Sequence, residues 1–241
     1  MTIRYLIRKF LITALLFSLL SFPTNVQAQN TSTGTQSKDC LKLIVGGGAT
    51  AVERIARAVS KELSDHGVCN SLRFVPSKRA TIEFLKGDAD GEFGRIQFYK
   101  EIVQSQAVMV PTPLLGYHGV LLTRDNTLRS VSEITGQLGI VRGWLWMRKV
   151  SEANPEIAIT EADSLETLVK MFESNRVQAI LLPDAFIGTP PLIETFHHIK
   201  VIDINVHLWL RSRHTYRVAE VDKVIADFIN AGGRFENYPL D

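Results

Sequence analysis

The side chains best placed to do chemistry in this sequence are arginines set beside glycines and tryptophans. Arg95 closes the run Gly91-Glu-Phe-Gly94-Arg95, where a strand is expected to finish, and open α/β sheets hold ligands at the carboxyl ends of their strands. A guanidinium there offers a planar fork that grips a carboxylate on two prongs, a geometry that lysine cannot reproduce. The same arginine can equally serve as a surface or inter-lobe salt bridge. Arg142-Gly143-Trp144-Leu-Trp146 is the second constellation. It lies where a strand meets a helix, and the free N–H groups at such a junction favour anions. Trp144 or Trp146 offers a flat face for a ligand ring or a cation, or else forms a hydrophobic patch that closes on another part of the chain or on a partner protein.

Other chemistries have little support. Gly46-Gly-Gly48 opens a helix and can turn N–H groups toward an anion, but the spacing is not that of a dinucleotide loop, and a tight turn needs glycine anyway. The six histidines are scattered. His197 and His198 are adjacent and cannot share a helix face, and no Cys/His/acid cluster has metal-site spacing. His207 and His214 are expected as strand and loop residues. There is no Gly-x-Ser-x-Gly elbow and no paired-carboxylate motif. The chain is therefore not expected to be an enzyme, and neither a cofactor nor a metal is implied.

The elements that must position these residues alternate between strand and helix. Leu41–Val45 is a buried strand, followed by a helix from Thr50 with Glu53 completing a capping box; Val52, Ile55, Val59 and Leu63 lie on one helical face. Leu72–Val75 is the next strand. It ends at Pro76, after which Ser77 is expected to cap a helix that stops at Gly87. A strand beginning near Asp90 delivers Arg95. Phe98 to Val103 is expected to be helical, and Leu115 to Arg124 is a strand long enough to cross between lobes. A second set follows: Gly136 to Val141 as strand, a helix capped by Ser164, Asn175 to Asp184 as strand, Val201–Asn205 leading into Val206–Arg211, and a closing amphipathic helix from Val218 to Ala231.

Composition sets the surroundings. Of 241 residues, 45% are hydrophobic and 22% charged, enough for a sizeable core and against disorder as the main state. Arg4, Arg8 and Lys9 precede an apolar run from Phe10 to Phe22, and Val26-Gln-Ala28 follows. That is the layout of a cleaved secretory signal spanning residues 1–28, too short for a comfortable membrane span. The polar stretch 29–38 reads as a flexible leader. Removing the signal takes three basic groups from 27, leaving 24 against 25 acidic residues and no basic excess for nucleic-acid binding. Export places Cys40 and Cys69 in an oxidising compartment, the periplasm. Each precedes a strand, so if the two strands are parallel neighbours the cysteines meet at one sheet edge. A Cys40–Cys69 disulfide is expected, contributing roughly 3 kcal/mol in the chain-entropy model.

The order Pro76-x-x-Arg79, a helix, then Leu85-Lys-Gly-Asp-Ala-Asp90 resembles the first lobe of bacterial periplasmic solute-binding proteins of family 3, the polar-amino-acid receptors of ABC-type importers. Gly136-Gln-Leu-Gly-Ile-Val141 with Arg142-Gly143, and Asn175-Arg-Val-Gln-Ala-Ile-Leu-Leu-Pro-Asp184, resemble the opening and closing strands of the second lobe. The resemblance implies a two-lobed type 2 periplasmic-binding-protein-like α/β fold with two hinge crossings. One lobe comprises residues 39–117 and 208–241; the other, with the hinge strands, comprises 118–207. It implies a ligand cleft formed by Arg95, Tyr117, Arg142, Gly143, Trp144 and Asp184. Asp184 would receive a ligand amino group, and Tyr117 stands at the hinge as a cleft or packing residue. Arg79 is expected to tie its helix start to nearby acids. Trp144 replaces the family's hydroxyl residue, Pro183 fills the acidic slot one position before Asp184, and the loop after the first strand is short. The implied function is closure on a small polar solute, an amino acid or a small carboxylate or amine, by a monomer that serves an inner-membrane transporter. The alternative is a ligand-poor adaptor or sensor acting through a membrane protein.

Overall fold

The computed structural model describes residues 40–47, 50–186 and 196–237. The expected signal and leader, Gly48, the Thr50 side chain and Tyr238 lie outside the described residues.

Strands β1 (Leu41–Gly47), β2 (Asn70–Pro76) and β3 (Gly91–Ile96) form a parallel set with β1 in the middle. Helix α1 (Thr50–Asp65) makes the β1–β2 crossover, and α2 (Ser77–Lys86) joins β2 to β3. Gly87 ends α2 with φ of 90°, a left-handed conformation that spares glycine the Cβ penalty. At its other end, Pro76 occupies the cap position and no side chain caps the helix. Ser77, expected as the cap, is instead the first helical residue, and its hydroxyl donates to the Gly47 carbonyl at 3.0 Å. The approach is close: a Cβ on Gly46 would lie 2.9 Å from the Ser77 Cα. Cys40 and Cys69 are bonded across the start of β1 and β2 with Cα atoms 4.6 Å apart, as the parallel adjacency requires.

After the short helix α3 (Lys100–Val103) and strand β4 (Ala107–Met109), strand β5 (Leu115–Thr123) begins a second parallel set. Here β6 (Gln137–Val141) pairs with both β7 (Ala158–Ala162) and β8 (Ala179–Pro183). Helices α4 (Leu145–Glu152) and α5 (Leu165–Glu173) pack on this set. Ser164 caps α5 as its sequence indicates, accepting from the Thr167 N–H at 3.1 Å. The region anticipated as one strand leading into another is a single strand, β9 (His197–Arg211). It runs antiparallel to β3, β4 and β5, so the sheet order is β2-β1-β3-β9-β5-β8-β6-β7, with β4 also on β9. Two parallel sets are thus welded through the antiparallel pair β9–β5.

Each set has its own core. One gathers Val120 to Leu122, Leu138, Trp146, Leu168, Phe172, Ile180 and Ile204. The other gathers Leu43, Val45, Ile55, Val59, Phe93, Leu208 and residues of the last helix, α6 (Val218–Asn230), with Ile44, Phe84, Tyr99 and Trp209 in a contiguous cluster beside α2. No helix among the described residues is long and apolar enough to cross a membrane.

Candidate functional site

Arg95 is aimed by an irregularity in its own strand. The β3–β9 register slips between Phe93 and Arg95, and Gly94 between them adopts φ of 79°. Only glycine suits that site, since a Cβ would also stand 2.7 Å from Val52 Cγ1. The extra residue puts Glu92 and Arg95 on the same side of the chain. Arg95 donates from Nε (2.8 Å) and Nη2 to Oε1 of Glu92, and from Nη2 to the Thr81 hydroxyl (2.8 Å) and the Ser77 carbonyl (3.2 Å). The Glu92 side chain is wholly buried, and its Oε2 accepts from the Tyr99 hydroxyl. The guanidinium also sits 5.3 Å from the centroid of the Tyr99 ring. Burial and then the Glu92 charge push the Tyr99 phenol well above its ordinary value, so it stays a donor to the carboxylate. A buried acid is thereby satisfied on both oxygens, and the cation above it is largely neutralised.

The facing wall is built by the β6–α4 junction. Gly143 turns with φ of 82°, Trp144 occupies the cap position, and α4 begins at Leu145. Trp146 is 2% exposed and packs against the closing strand pair so tightly that a Cβ on Gly119 would lie 2.5 Å from its ring. Its indole Nε1 is buried and has no hydrogen-bond partner among the described residues. The Trp144 and Trp146 rings stand 6.5 Å apart and tilted by 53°.

The two walls interlock. Leu145 packs on the cluster containing Phe84, Tyr99 and Trp209, and Ile96 and Phe98 pack on the core of the second set. Glu101 of α3 meets Lys149 Nζ at 2.8 Å, with Arg148 Nη2 at 3.8 Å, and Glu152 flanks the same two cations. Bonds to Glu101 and then Glu152 raise the Lys149 ammonium above its ordinary value. At the floor, the Gln97 amide donates to the Asp203 carbonyl at 2.8 Å and accepts from the Asn205 N–H at 2.9 Å, fixing β3's exit to the crossing strand β9.

Between the walls lies a cavity of about 450 Å³. Four of the six residues expected from the sequence line it together: Arg95, Tyr117, Gly143 and Trp144. Tyr117 is at the hinge on β5, and burial first, then the Asp184 charge, raise its phenol to about 12. Asp184 itself begins the turn after β8 and does not line the cavity. Arg142 is turned away, with Nε 2.8 Å from Glu161 and Nη1 2.8 Å from Asp163, both on the outer rim. Arg79 binds Glu83 at 2.5 Å, the helix-tying role expected of it, and Arg73 completes the clamp. Sequence reasoning missed Thr81, Tyr99, Ile102, Leu145 and Arg148 in the lining. Arg148 had a signal: it is four residues from Trp144, on the same face of α4. Among the described residues no group of three His, Cys, Asp or Glu side chains is placed to hold a metal ion.

No protein-family model matches the chain, and no curated protein matches it in sequence. Solved structures do match. An amino acid ABC transporter substrate-binding protein from Streptococcus pneumoniae bound to L-arginine is 14% identical, covers 82% of this chain and 92% of its own, and superposes with a TM-score of 0.56. The GluR0 ligand-binding core in complex with L-glutamate is 13% identical over 80% and 93%, at 0.59. A domain of Bordetella pertussis BvgS, its VFT2 domain, is 11% identical over 82% and 91%, at 0.60. The chain has the two-lobed type 2 periplasmic-binding-protein-like fold that such structures share.

Proposed function

We propose that the chain is a periplasmic solute-binding protein that closes its two lobes on a small polar solute and presents it to an ABC-type importer in the inner membrane. In this reading residues 1–28 are a cleaved signal. Residues 39–117 with 208–241 form one lobe and 118–207 the other, and the protein works as a monomer. The observation that carries it is the cavity of about 450 Å³ between the lobes, with Arg95 on one wall and the first turn of α4 on the other. That volume lies in the range of ligand pockets, and the position is where strand order reverses in an open α/β sheet. The solved neighbours bound to L-arginine and L-glutamate support an amino acid or a small carboxylate or amine as the solute class. The test is a thermal-shift screen against amino acids, small carboxylates, amines and oligopeptides. A ligand that binds only the folded state stabilises it by about 2.7 kcal/mol at a hundredfold excess over Kd. A cooperative melt with no shift for any compound ends the solute-receptor reading.

One observation favours a second reading, an adaptor or sensor acting through a membrane protein. Leu145 and the Glu101–Lys149 pair join the walls with the protein's own side chains, so part of the closing interaction needs no solute.

A further inference from the structure

The charges lining the cleft are of one sign. Arg95 and Arg148 contribute cationic heads to the wall, and no aspartate or glutamate lines it. Arg95 is balanced by the buried Glu92, while the acids facing Arg148 stand off at 3.4 and 3.8 Å. A ligand ammonium therefore has no carboxylate to meet among the lining residues, whereas a ligand anion finds several donors. Gly143, Trp144, Leu145 and Trp146 bring the start of α4 to the cavity, and first-turn N–H groups lack intrahelical acceptors. Independently of the helix end, Trp146 is 98% buried and its indole N–H is unpartnered in the same wall. A buried donor left without an acceptor is costly, and a ligand oxygen would satisfy it. The remaining surface is flat and apolar, with Trp144 and Tyr117 as half-buried rings that suit offset or edge contact with another ring.

We infer that the cleft takes a small planar aromatic carboxylate in preference to a zwitterionic amino acid, its carboxylate at the first turn of α4 with Trp146 Nε1 and Arg148, and its ring against Trp144 and Tyr117. This specifies the solute class and rests on the solute-binding reading given above. It also gives Trp144 a purpose, since a flat ring replaces a hydrogen-bonding hydroxyl where the ligand body lies. Tyr117 stays a neutral donor at every physiological pH, because its phenol is raised to about 12, and so adds no repulsion toward the anion.

Calorimetric titration of the purified protein with matched compounds tests it. Benzoate and phenylacetate are expected to bind. Benzamide, which has the shape without the charge, and L-phenylalanine, which has the ring with an added ammonium, should each bind at least tenfold more weakly. Cyclohexanecarboxylate, charged but not planar, should be several-fold weaker. Arg148→Gln should weaken benzoate about tenfold and leave benzamide unchanged; Trp146→Phe should do the same, and circular dichroism establishes that each variant is folded. Benzamide binding as tightly as benzoate, or L-phenylalanine or L-glutamate binding more tightly, overturns the aromatic-carboxylate assignment while leaving the cleft a solute site. Absence of binding by every compound, including amino acids, overturns the solute-binding reading with it.

Discussion

Glu92 lies wholly buried beneath Arg95, and two nitrogens of the guanidinium converge on one of its oxygens. Breaking such a pair from one side is expensive, because it leaves a charge with neither solvent nor partner. Arg95→Ala is expected to cost about 3–5 kcal/mol in urea denaturation. The double change Glu92→Gln with Arg95→Ala should cost clearly less, since the stranded charge goes with the cation. Additive losses would mean that the two side chains are not coupled. The arginine therefore has a structural task that any binding experiment on it must separate from ligand contact.

The Cys40–Cys69 bond closes a loop with a sequence separation of 29 residues. Chain entropy assigns such a loop about 3–4 kcal/mol of stabilisation. Reduction is expected to lower Tm by about 6–12 °C for a domain of this size, while the unreduced, unfolded protein should show no free thiol at Cys40 or Cys69. Finding two thiols there would remove the bond from the account.

His207 gives the protein a dependence on mild acid. It is 3% exposed on β9, and its Nδ1 is 2.9 Å from the Val110 carbonyl. Burial holds its pKa below the ordinary imidazole value, outweighing the opposing effects of that carbonyl and of Asp222. The unfolded chain consequently binds the proton more readily than the folded one. Stability from this site is complete above about pH 6.5 and falls as pH drops below it. Urea midpoints between pH 7 and 5 should decline more steeply for the natural protein than for His207→Gln. Parallel curves would show that His207 contributes nothing to the slope.

Gly119→Ala tests how closely the hinge packs on Trp146. The new methyl would meet the indole ring at 2.5 Å and Ile202 Cγ2 at 2.8 Å. Overpacking of this kind typically costs about 1–3 kcal/mol. The strain is relieved most readily by moving Trp146 toward the cavity it lines. A red-shifted tryptophan emission with weakened ligand binding is expected; an unchanged spectrum and affinity would mean that Ile202 yields instead.

Much of the scaffold was legible because its signals are local. Gly87 ends a helix through its own φ, Ser164 caps one through its own hydroxyl, and the cysteines precede strands whose parallel pairing follows from one crossover helix. Ser77 was misassigned because its hydroxyl is drawn to Gly47, a neighbour supplied by sheet pairing and not by sequence. Glu92 was invisible for a related reason. In a regular strand residues three apart point to opposite faces, and only the irregularity at Gly94 brings Glu92 under Arg95. Arg142 looked like a ligand residue by its place beside Gly143, yet its acidic partners come from β7 and the residue just after it. Distant pairing thus decides which of two neighbouring arginines faces the cleft.

The lobes' own contacts set how much work a solute must do. Closure responds to a ligand only through its greater affinity for the closed form, and apparent affinity scales with the fraction already competent. Leu145 lodges against the Phe84, Tyr99 and Trp209 cluster, and Glu101 holds Lys149 at 2.8 Å across the same seam. The ion pair is partly exposed and contributes little, about 0–1 kcal/mol; the apolar contact should dominate. Leu145→Ala is accordingly expected to raise the radius of gyration in solution scattering and weaken solute binding about tenfold, whereas Glu101→Gln should change either by threefold at most. Equal effects would shift the latch to the charges. No effect from either change would mean that the sheet connection through β5 and β9 alone fixes the lobes, and that closure is not the step at which a solute acts.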